Sequence, residues 1–370
     1  MAMMYENKIP CLDLQKQHQQ IKKEIFAAFE NVYDKTAFSG GAFAEDFEKA
    51  FAAYCGTTYA IAVNNGTSAL HLALLALGIG KGDEVIVPAN PFIATAWGVS
   101  YTGATPVFVD CTSDTWEIDI AKIEEKITPN TKAIIGVHLY GQPFDVDGVN
   151  DICKKHQLFL IEDAAQAQGA KYKGISVGSN GEMACFSFYP GKNLGACGEA
   201  GGITTNNETY YKHLQSLRNH GMLVRYYHDE VGFNMRMGGL EAASLSVKLK
   251  HLSSWNQRRK QIANTYREKI TNPKIVMQAV PEWADGIFHL FVVTVDDRDG
   301  FVNYLNAANI YPALHYPVPC HLQKAYANLN YKTGDCPNAE NLAAHCVSLP
   351  MFAELTNDEI NFVIDCINKY

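Results

Sequence analysis

Lys192 and Asp163 are the two residues whose surroundings point most directly to chemistry. Lys192 stands just past the apolar run Ala184–Tyr189, on the turn Pro190-Gly191. A lysine at the end of a buried strand can shed its proton and act as a nucleophile in Schiff-base chemistry. Its ordinary alternative is a solvated loop lysine. Asp163 follows the apolar run Leu158–Ile161 in Glu162-Asp163-Ala164-Ala165-Gln166. A carboxylate there costs desolvation energy unless a cation meets it, and a protonated ring nitrogen would serve. A helix cap or an arginine ion pair would serve as well.

Two further segments fall at strand ends. Asn64-Asn65-Gly66-Thr67-Ser68 precedes a helical run from Ala69. Gly66 permits close backbone approach, and Thr67 and Ser68 bring hydroxyls and amides to a helix N-terminus, a phosphate site or a plain cap. Pro88-Ala89-Asn90-Pro91-Phe92 ends another strand, and Phe92 is either a core residue or a ring that lies on a planar ligand. Each feature is weak alone. Together they supply what pyridoxal phosphate requires: a Schiff-base lysine, an acid for the pyridine nitrogen, a phosphate cup and a stacking ring. The 29 residues from Asp163 to Lys192 leave room for one loop and one strand between neighbouring strand ends.

The elements that position these residues alternate. The first fifty residues carry apolar positions at helical spacing, broken by Ser39-Gly40-Gly41. Strand runs follow at 59–63, 84–87, 106–110, 133–139, 158–161, 184–189 and 202–205, and helical patterns at 67–77, 92–101, 118–127 and 147–155. Continuously apolar strands separated by helices predict an α/β fold with a mostly parallel sheet buried on both faces. Helical patterns at 240–255 and 258–270, a strand at 287–295 and a closing helix at 358–369 suggest a smaller α+β domain. The expected division is 1–250 and 251–370.

Composition narrows the function. The 370 residues are 47% hydrophobic and 19% charged, which is globular. A net charge of −8 opposes nucleic-acid binding. The longest apolar stretch, Ala69–Leu77, is too short to cross a membrane. Met1–Pro10 has no basic patch followed by an apolar block, so the ten cysteines, none in a Cys-x-x-Cys pair, are expected as reduced thiols of a cytoplasmic protein, with no metal site. Gly174-Ile175-Ser176-Val177-Gly178 fits a hydrolase pattern but lacks a flanking strand and helix, and no dinucleotide or P-loop fingerprint occurs.

The chain resembles the DegT/StrS family of pyridoxal-phosphate sugar aminotransferases, of fold type I. The likeness runs from Ile9-Pro10-Cys11-Leu12-Asp13-Leu14 through Asn65-Gly66-Thr67-Ser68-Ala69-Leu70, Glu162-Asp163-Ala164-Ala165-Gln166, Ser187-Phe188-Tyr189-Pro190-Gly191-Lys192-Asn193 and Gly232-Phe233-Asn234-Met235-Arg236-Met237 to His315-Tyr316-Pro317-Val318-Pro319. It implies that Lys192 carries the cofactor and shuttles the proton. Asp163 would meet the pyridine nitrogen, Gln166 the ring hydroxyl and Phe92 the ring face. Thr67, Ser68 and Ser187 would bind phosphate, and Asn234 would reach the phosphate of a second subunit in an obligatory homodimer. Tyr189, His315 and Tyr316 resemble sugar-facing positions. Pro91, Gln168 and Gly238-Gly239 depart from the family pattern, the first two beside the cofactor.

The reaction so implied is transfer of an amino group from L-glutamate to a nucleotide-linked keto-deoxysugar. The stretch His315–Gln323 most resembles enzymes acting on dTDP-3-keto-6-deoxyhexoses. Sugars with a 4-keto group, 3-keto uronic sugars and aminocyclitol precursors stay open. Rival readings are a sugar dehydratase, which would replace Lys192 by histidine, a cofactor-binding regulator without turnover, and a nicotinamide oxidoreductase.

Overall fold

The computed structural model describes residues 5–370. Met1–Met4, part of the stretch read for an export signal, lie outside the described residues. The central sheet has seven strands: β1 (Tyr59–Val63), β2 (Glu84–Pro88), β3 (Thr105–Val109), β4 (Thr131–Val137), β5 (Phe159–Asp163), β6 (Met183–Ser187) and β7 (Gly201–Thr205). Their order is β1-β7-β6-β5-β4-β2-β3. β7 runs antiparallel to both neighbours and every other pairing is parallel. The β-rich apolar runs therefore form the sheet expected of them.

Strand alternation sorts the core into two layers. Ile61, Val63, Val85, Val87, Ile135 and Ile161 pack with α3 (Gly66–Ala76) and α4 (Ala94–Tyr101). Ala60, Ala62, Ala184 and Phe186 face the opposite way, toward α2 (Ala42–Cys55) and α7 (Gly239–Lys269), while Ile86, Ile134 and Leu160 meet α5 (Val146–His156). The remaining helices are α1 (Leu14–Asp34), α6 (Glu208–Leu217), α8 (Arg298–Ala307), α9 (Pro337–His345) and α10 (Asn357–Lys369).

Four expectations change. Residues 118–127 form two short 3₁₀ turns, Ile120–Lys122 and Glu124–Lys126, where β-branched Ile118, Ile120, Ile123 and Ile127 and the nearby Pro129 oppose α-helix propagation. The helix expected from Phe92 begins at Ala94. The strand expected over 287–295 shrinks to β8 (Phe291–Thr294), since Phe288 takes a left-handed backbone, φ 48°. The two helical patterns at 240–270 are one unbroken helix, α7.

Two features cross the expected division at residue 250. Residue 250 lies inside α7, whose first half (Ala242, Leu245, Leu252) packs under the large sheet. Its second half (Ile262, Ala263, Tyr266) packs with β8, β9 (Cys346–Leu349), α8 and α10. Ile9–Pro10 pairs in parallel with Ile310–Tyr311, so the start of the described chain completes the C-terminal layer.

Glu162 and Asp163 are consecutive and therefore point to opposite faces of β5. Glu162 is fully buried and clamps a loop. It accepts from His138 Nε2 (3.0 Å) and from the backbone N–H groups of Gly178 (3.1 Å), Asn180 (2.9 Å) and Gly181 (3.0 Å). Burial alone would raise its pKa, but His138 and these N–H groups outweigh it and hold the carboxyl below its ordinary value. Glu162→Gln should cost about 2–3 kcal/mol in a urea titration at neutral pH. The ionised form is the stabilising one, so its contribution is present above the ordinary carboxyl pKa and is lost as pH falls through the lower, folded value. The gap between wild type and variant should accordingly narrow below about pH 4.

Candidate active site

The C-terminal ends of β1, β2, β5 and β6 open into one cavity of about 580 Å³, roofed by residues of the C-terminal layer. This is where ligands bind in open α/β sheets. Gly66, Thr67, Phe92, Asp163, Gln166, Ser187, Tyr189, Lys192, His315 and Tyr316 all line it.

Lys192 reaches the cavity because the chain turns sharply after β6. Its N–H donates to Tyr189 O (2.8 Å), and Ala196 N–H donates back to Phe188 O (2.8 Å). A Cβ at Gly195 would stand 2.3 Å from Pro190 O, so the turn closes only around glycine. Behind the loop, buried Lys248 of α7 donates Nζ to Gly195 O (2.7 Å) and to Nε2 of His18 (2.8 Å). The Nζ of half-buried Lys192 makes no hydrogen bond or ion pair among the described residues. Removal from water lowers its pKa to about 8, against the opposing pull of Asp163. A fraction of the amine is thus neutral at physiological pH.

Asp163 faces the same cavity. Its Oδ2 accepts from Thr95 Oγ1 (2.7 Å) and its Oδ1 from Ala165 N–H (3.1 Å). Burial raises its pKa, and Thr95, Ala165 N–H, Lys192 and His138 offset this only in part. The site therefore gains energy from a cation placed against this carboxylate.

The turn into α3 completes the floor. A Cβ on Gly66 would lie 2.7 Å from Ser187 Cβ, so two backbones close to a spacing that only glycine allows. Gly66 and Thr67 are the first residues of α3, and their N–H groups have no intrahelical acceptor. This is a cradle for an anion. Ser68, expected beside them, is buried and does not line the cavity; its N–H donates to Oδ1 of the cap residue Asn65 (2.7 Å). Phe92 flanks the opening, its ring 5.4 Å from that of Tyr316.

Gln166 is held in one orientation. Tyr140 N–H donates to its Oε1 (2.7 Å), so its Nε2 points inward and donates to Tyr316 Oη (3.1 Å). Tyr140 also donates its hydroxyl to His315 O (2.5 Å), joining the large sheet to the C-terminal segment. His315 Nδ1 lies 2.8 Å from Ser348 Oγ, and burial and Lys192 depress its pKa to about 4. Burial raises the Tyr316 phenol. Both are uncharged at neutral pH.

Residues 19–368 match the profile of the DegT/DnrJ/EryC1/StrS aminotransferase family. The chain belongs to this family. It is 46% identical over 362 residues to the dTDP-3-amino-3,6-dideoxy-alpha-D-galactopyranose transaminase of Aneurinibacillus thermoaerophilus, a match covering 98% of this chain and 99% of that one. Its fold superimposes on the crystal structure of S. venezuelae DesV with a TM-score of 0.96 at 41% identity, over 98% of both chains. It also superimposes on NtdA of Bacillus subtilis, solved with bound cofactor PMP, with a TM-score of 0.92 at 32% identity, over 99% of this chain and 86% of that one. The chain is an aminotransferase.

Not every expected site residue of this aminotransferase joins the cavity. Asn234, expected at the phosphate of a second subunit, is exposed and outside this cavity, its Oδ1 accepting from Arg236 Nη2 (2.8 Å). Gln168, expected to border the cofactor, stands behind the wall and donates to the carbonyls of Ser187 (2.7 Å) and Ala165 (3.2 Å). Of three arginines near the Asn234 motif, Arg218 is spent on Glu48 and Ala62 O, Arg236 on Asn219 and Asn234, and exposed Arg225 lies over the Tyr226 ring. Among described residues no group of three or more His, Cys, Asp and Glu could hold a metal, and no helix is long and apolar enough to cross a membrane.

Thr95, Tyr140 and His289 line or brace the cavity without any sequence signal. Thr95 reads as a helix-start threonine, and His289 as a lone histidine in an apolar run. In protein stripped of small molecules, amine-selective acylation of Lys192, read by peptide mass spectrometry, should rise with a midpoint near pH 8. Surface lysines should follow near pH 10. Asp163 raises the Lys192 value, so Asp163→Asn should move that midpoint down.

Proposed function

We propose that the protein transfers an amino group from L-glutamate to a nucleotide-linked 3-keto-6-deoxyhexose with pyridoxal 5'-phosphate as cofactor. The carrying observation is the juxtaposition of an unpaired, readily deprotonated Lys192 with a buried carboxylate that needs a cation and a glycine-tight anion cradle. A protonated pyridine nitrogen fits Asp163. A phosphate fits the α3 N-terminus with Thr67 and Ser187. The Gln166 amide donor would meet the ring hydroxyl, and Phe92 would cover the ring. The cofactor supplies an electron sink for charge that develops on the amino carbon.

The chain's residues do the rest. Lys192 Nζ would hold the cofactor and would move a proton between carbon atoms, which its lowered pKa suits. Thr95 fixes the Asp163 carboxylate, and the Tyr189-to-Gly195 turn fixes the amine. The name of the Aneurinibacillus relative supports a 3-amino-6-deoxyhexose product. Lys192 disfavours the dehydratase alternative. None of the ten cysteines is paired, which supports a reducing compartment, the cytoplasm.

The expected spectrum is a visible absorbance band from protein and pyridoxal phosphate that bleaches when L-glutamate is added. Lys192→Ala should lose turnover by at least about 10³-fold. A band indifferent to glutamate would refute the donor, and the lack of any band in folded protein would refute the cofactor.

A homodimer with shared sites belongs to the same reading. Asn234 follows, within a dozen residues of chain, a segment whose Leu223, Val224, Tyr226 (75% exposed) and Val231 (90% exposed) are left uncovered, and exposed apolar groups of this kind suit a partner surface. Mixing inactive Lys192→Ala and Asn234→Ala subunits tests this. If Asn234 serves the neighbouring site, each mixed dimer holds one site with both residues intact, and activity returns. If Asn234 serves its own subunit, mixing restores nothing.

A further inference from the structure

The cavity's charge inventory is one-sided. Its lining holds two acids, Asp163 and Glu199, one cation, Lys192, and two histidines, His289 and His315; among the described residues no arginine lines it. The two histidines are lining side chains whose role as donor or acceptor is set by where their protons sit. His289 is the more constrained.

Arg259, buried on α7, fixes the backbone beneath it. Its Nη1 donates to Phe288 O (3.2 Å), His289 O (3.2 Å) and Met351 O (2.9 Å). The ring is fixed by a relay of amides. Asn256 Nδ2 donates to Gln168 O (2.8 Å), which leaves Asn256 Oδ1 to accept from Asn193 Nδ2 (2.9 Å). Asn193 Nδ2 also donates to Ile287 O (3.3 Å). Peptide carbonyls only accept, so both amide orientations follow. Asn193 Oδ1 is then the atom 3.2 Å from His289 Nδ1, and His289 must donate to it. One proton is thereby committed to Nδ1. Nε2 makes no hydrogen bond among the described residues and is not sealed in the wall.

We propose that His289 is a specificity residue: it presents the lone pair of Nε2 to the cavity, accepts a hydrogen bond from a hydroxyl of an uncharged keto sugar, and disfavours sugars that carry a carboxylate. A second proton, which would turn Nε2 into a donor for carboxylates, is opposed by the surroundings. Burial, Lys192 and Arg259 together hold the His289 pKa well below its ordinary value. The neutral His315 and the acids Asp163 and Glu199 add no attraction for a second carboxylate. This assignment rests on the transamination reading and narrows its acceptor to neutral deoxysugars over uronic sugars.

Two measurements on the holoenzyme test it. Histidine ¹⁵N NMR, with His289→Gln to identify the signal, should show a pyridine-type Nε2 still unprotonated at the pH where an ordinary imidazole is half-protonated; an Nε2–H tautomer or an imidazolium at neutral pH would overturn the assignment. Turnover is then compared for nucleotide 3-keto sugars with a methyl or a carboxylate at C-5. Wild type should favour the methyl sugar. His289→Phe should lower kcat/KM for it about tenfold, the loss of one hydrogen bond, mainly through KM, and His289→Gln should recover part. The glutamate half-reaction should not show this tenfold loss, since its carboxylates cannot donate to Nε2. Equal use of both sugars, or an unchanged kcat/KM in His289→Phe, would sink the proposal. If wild type fails the glutamate half-reaction, the transamination reading falls and the acceptor claim with it, while the NMR result still decides the tautomer.

Discussion

Two neighbouring carboxylates that must both be buried, on opposite faces of one strand, constrain everything around them. β5 cannot carry Glu162 and Asp163 into the interior without providing for each. On one face Glu162 receives His138 and three backbone amides, and the loop 178–181 is bound in return. On the other face Asp163 receives just Thr95 and one amide, beside Lys192. The first acid is satisfied within the fold and stabilises it. The second is left short of positive charge and defines the site. The difference lies in the number of donors, since burial is common to both.

The rest of the molecule serves that asymmetry. β6 lies next to β5, so the turn after it delivers Lys192 to the same cavity. β1 lies across β7, and the glycine at the head of α3 lets its backbone close on Ser187. α7 is long because it has two tasks. Its first half packs under the sheet and supports the lysine loop through Lys248. Its second half carries Arg259, which ties segments of the C-terminal layer that roof the cavity. Tyr140 makes a further tie, holding Gln166 with its backbone and His315 with its hydroxyl.

Much of this was legible in the chain. Continuous apolar strands gave the sheet, and chemical residue types at strand ends gave Lys192, Asp163, Gly66, Thr67 and Phe92. Local pattern and tertiary context disagree at particular places. The run 118–127 has helical spacing but β-branched residues and a nearby proline, and it settles for two short turns. Ser68 looks equivalent to Thr67 until Asn65 takes its amide. Gln168 looks adjacent to the cofactor but turns into the wall to satisfy two carbonyls.

By itself the sequence determined the fold class and marked the candidate reacting groups, because a strand's period and a lysine's chemistry are local properties. It also carried the family likeness, spread over the whole chain. Tertiary structure decided which groups are charged and which way they point. The proton on Nδ1 of His289 is set by Asn193, which is set by Asn256 and two carbonyls from other segments. The acidity of Lys192 is set by how much water the C-terminal layer excludes. Protonation and orientation depend on neighbours distant in sequence, and spacing along the chain does not report them.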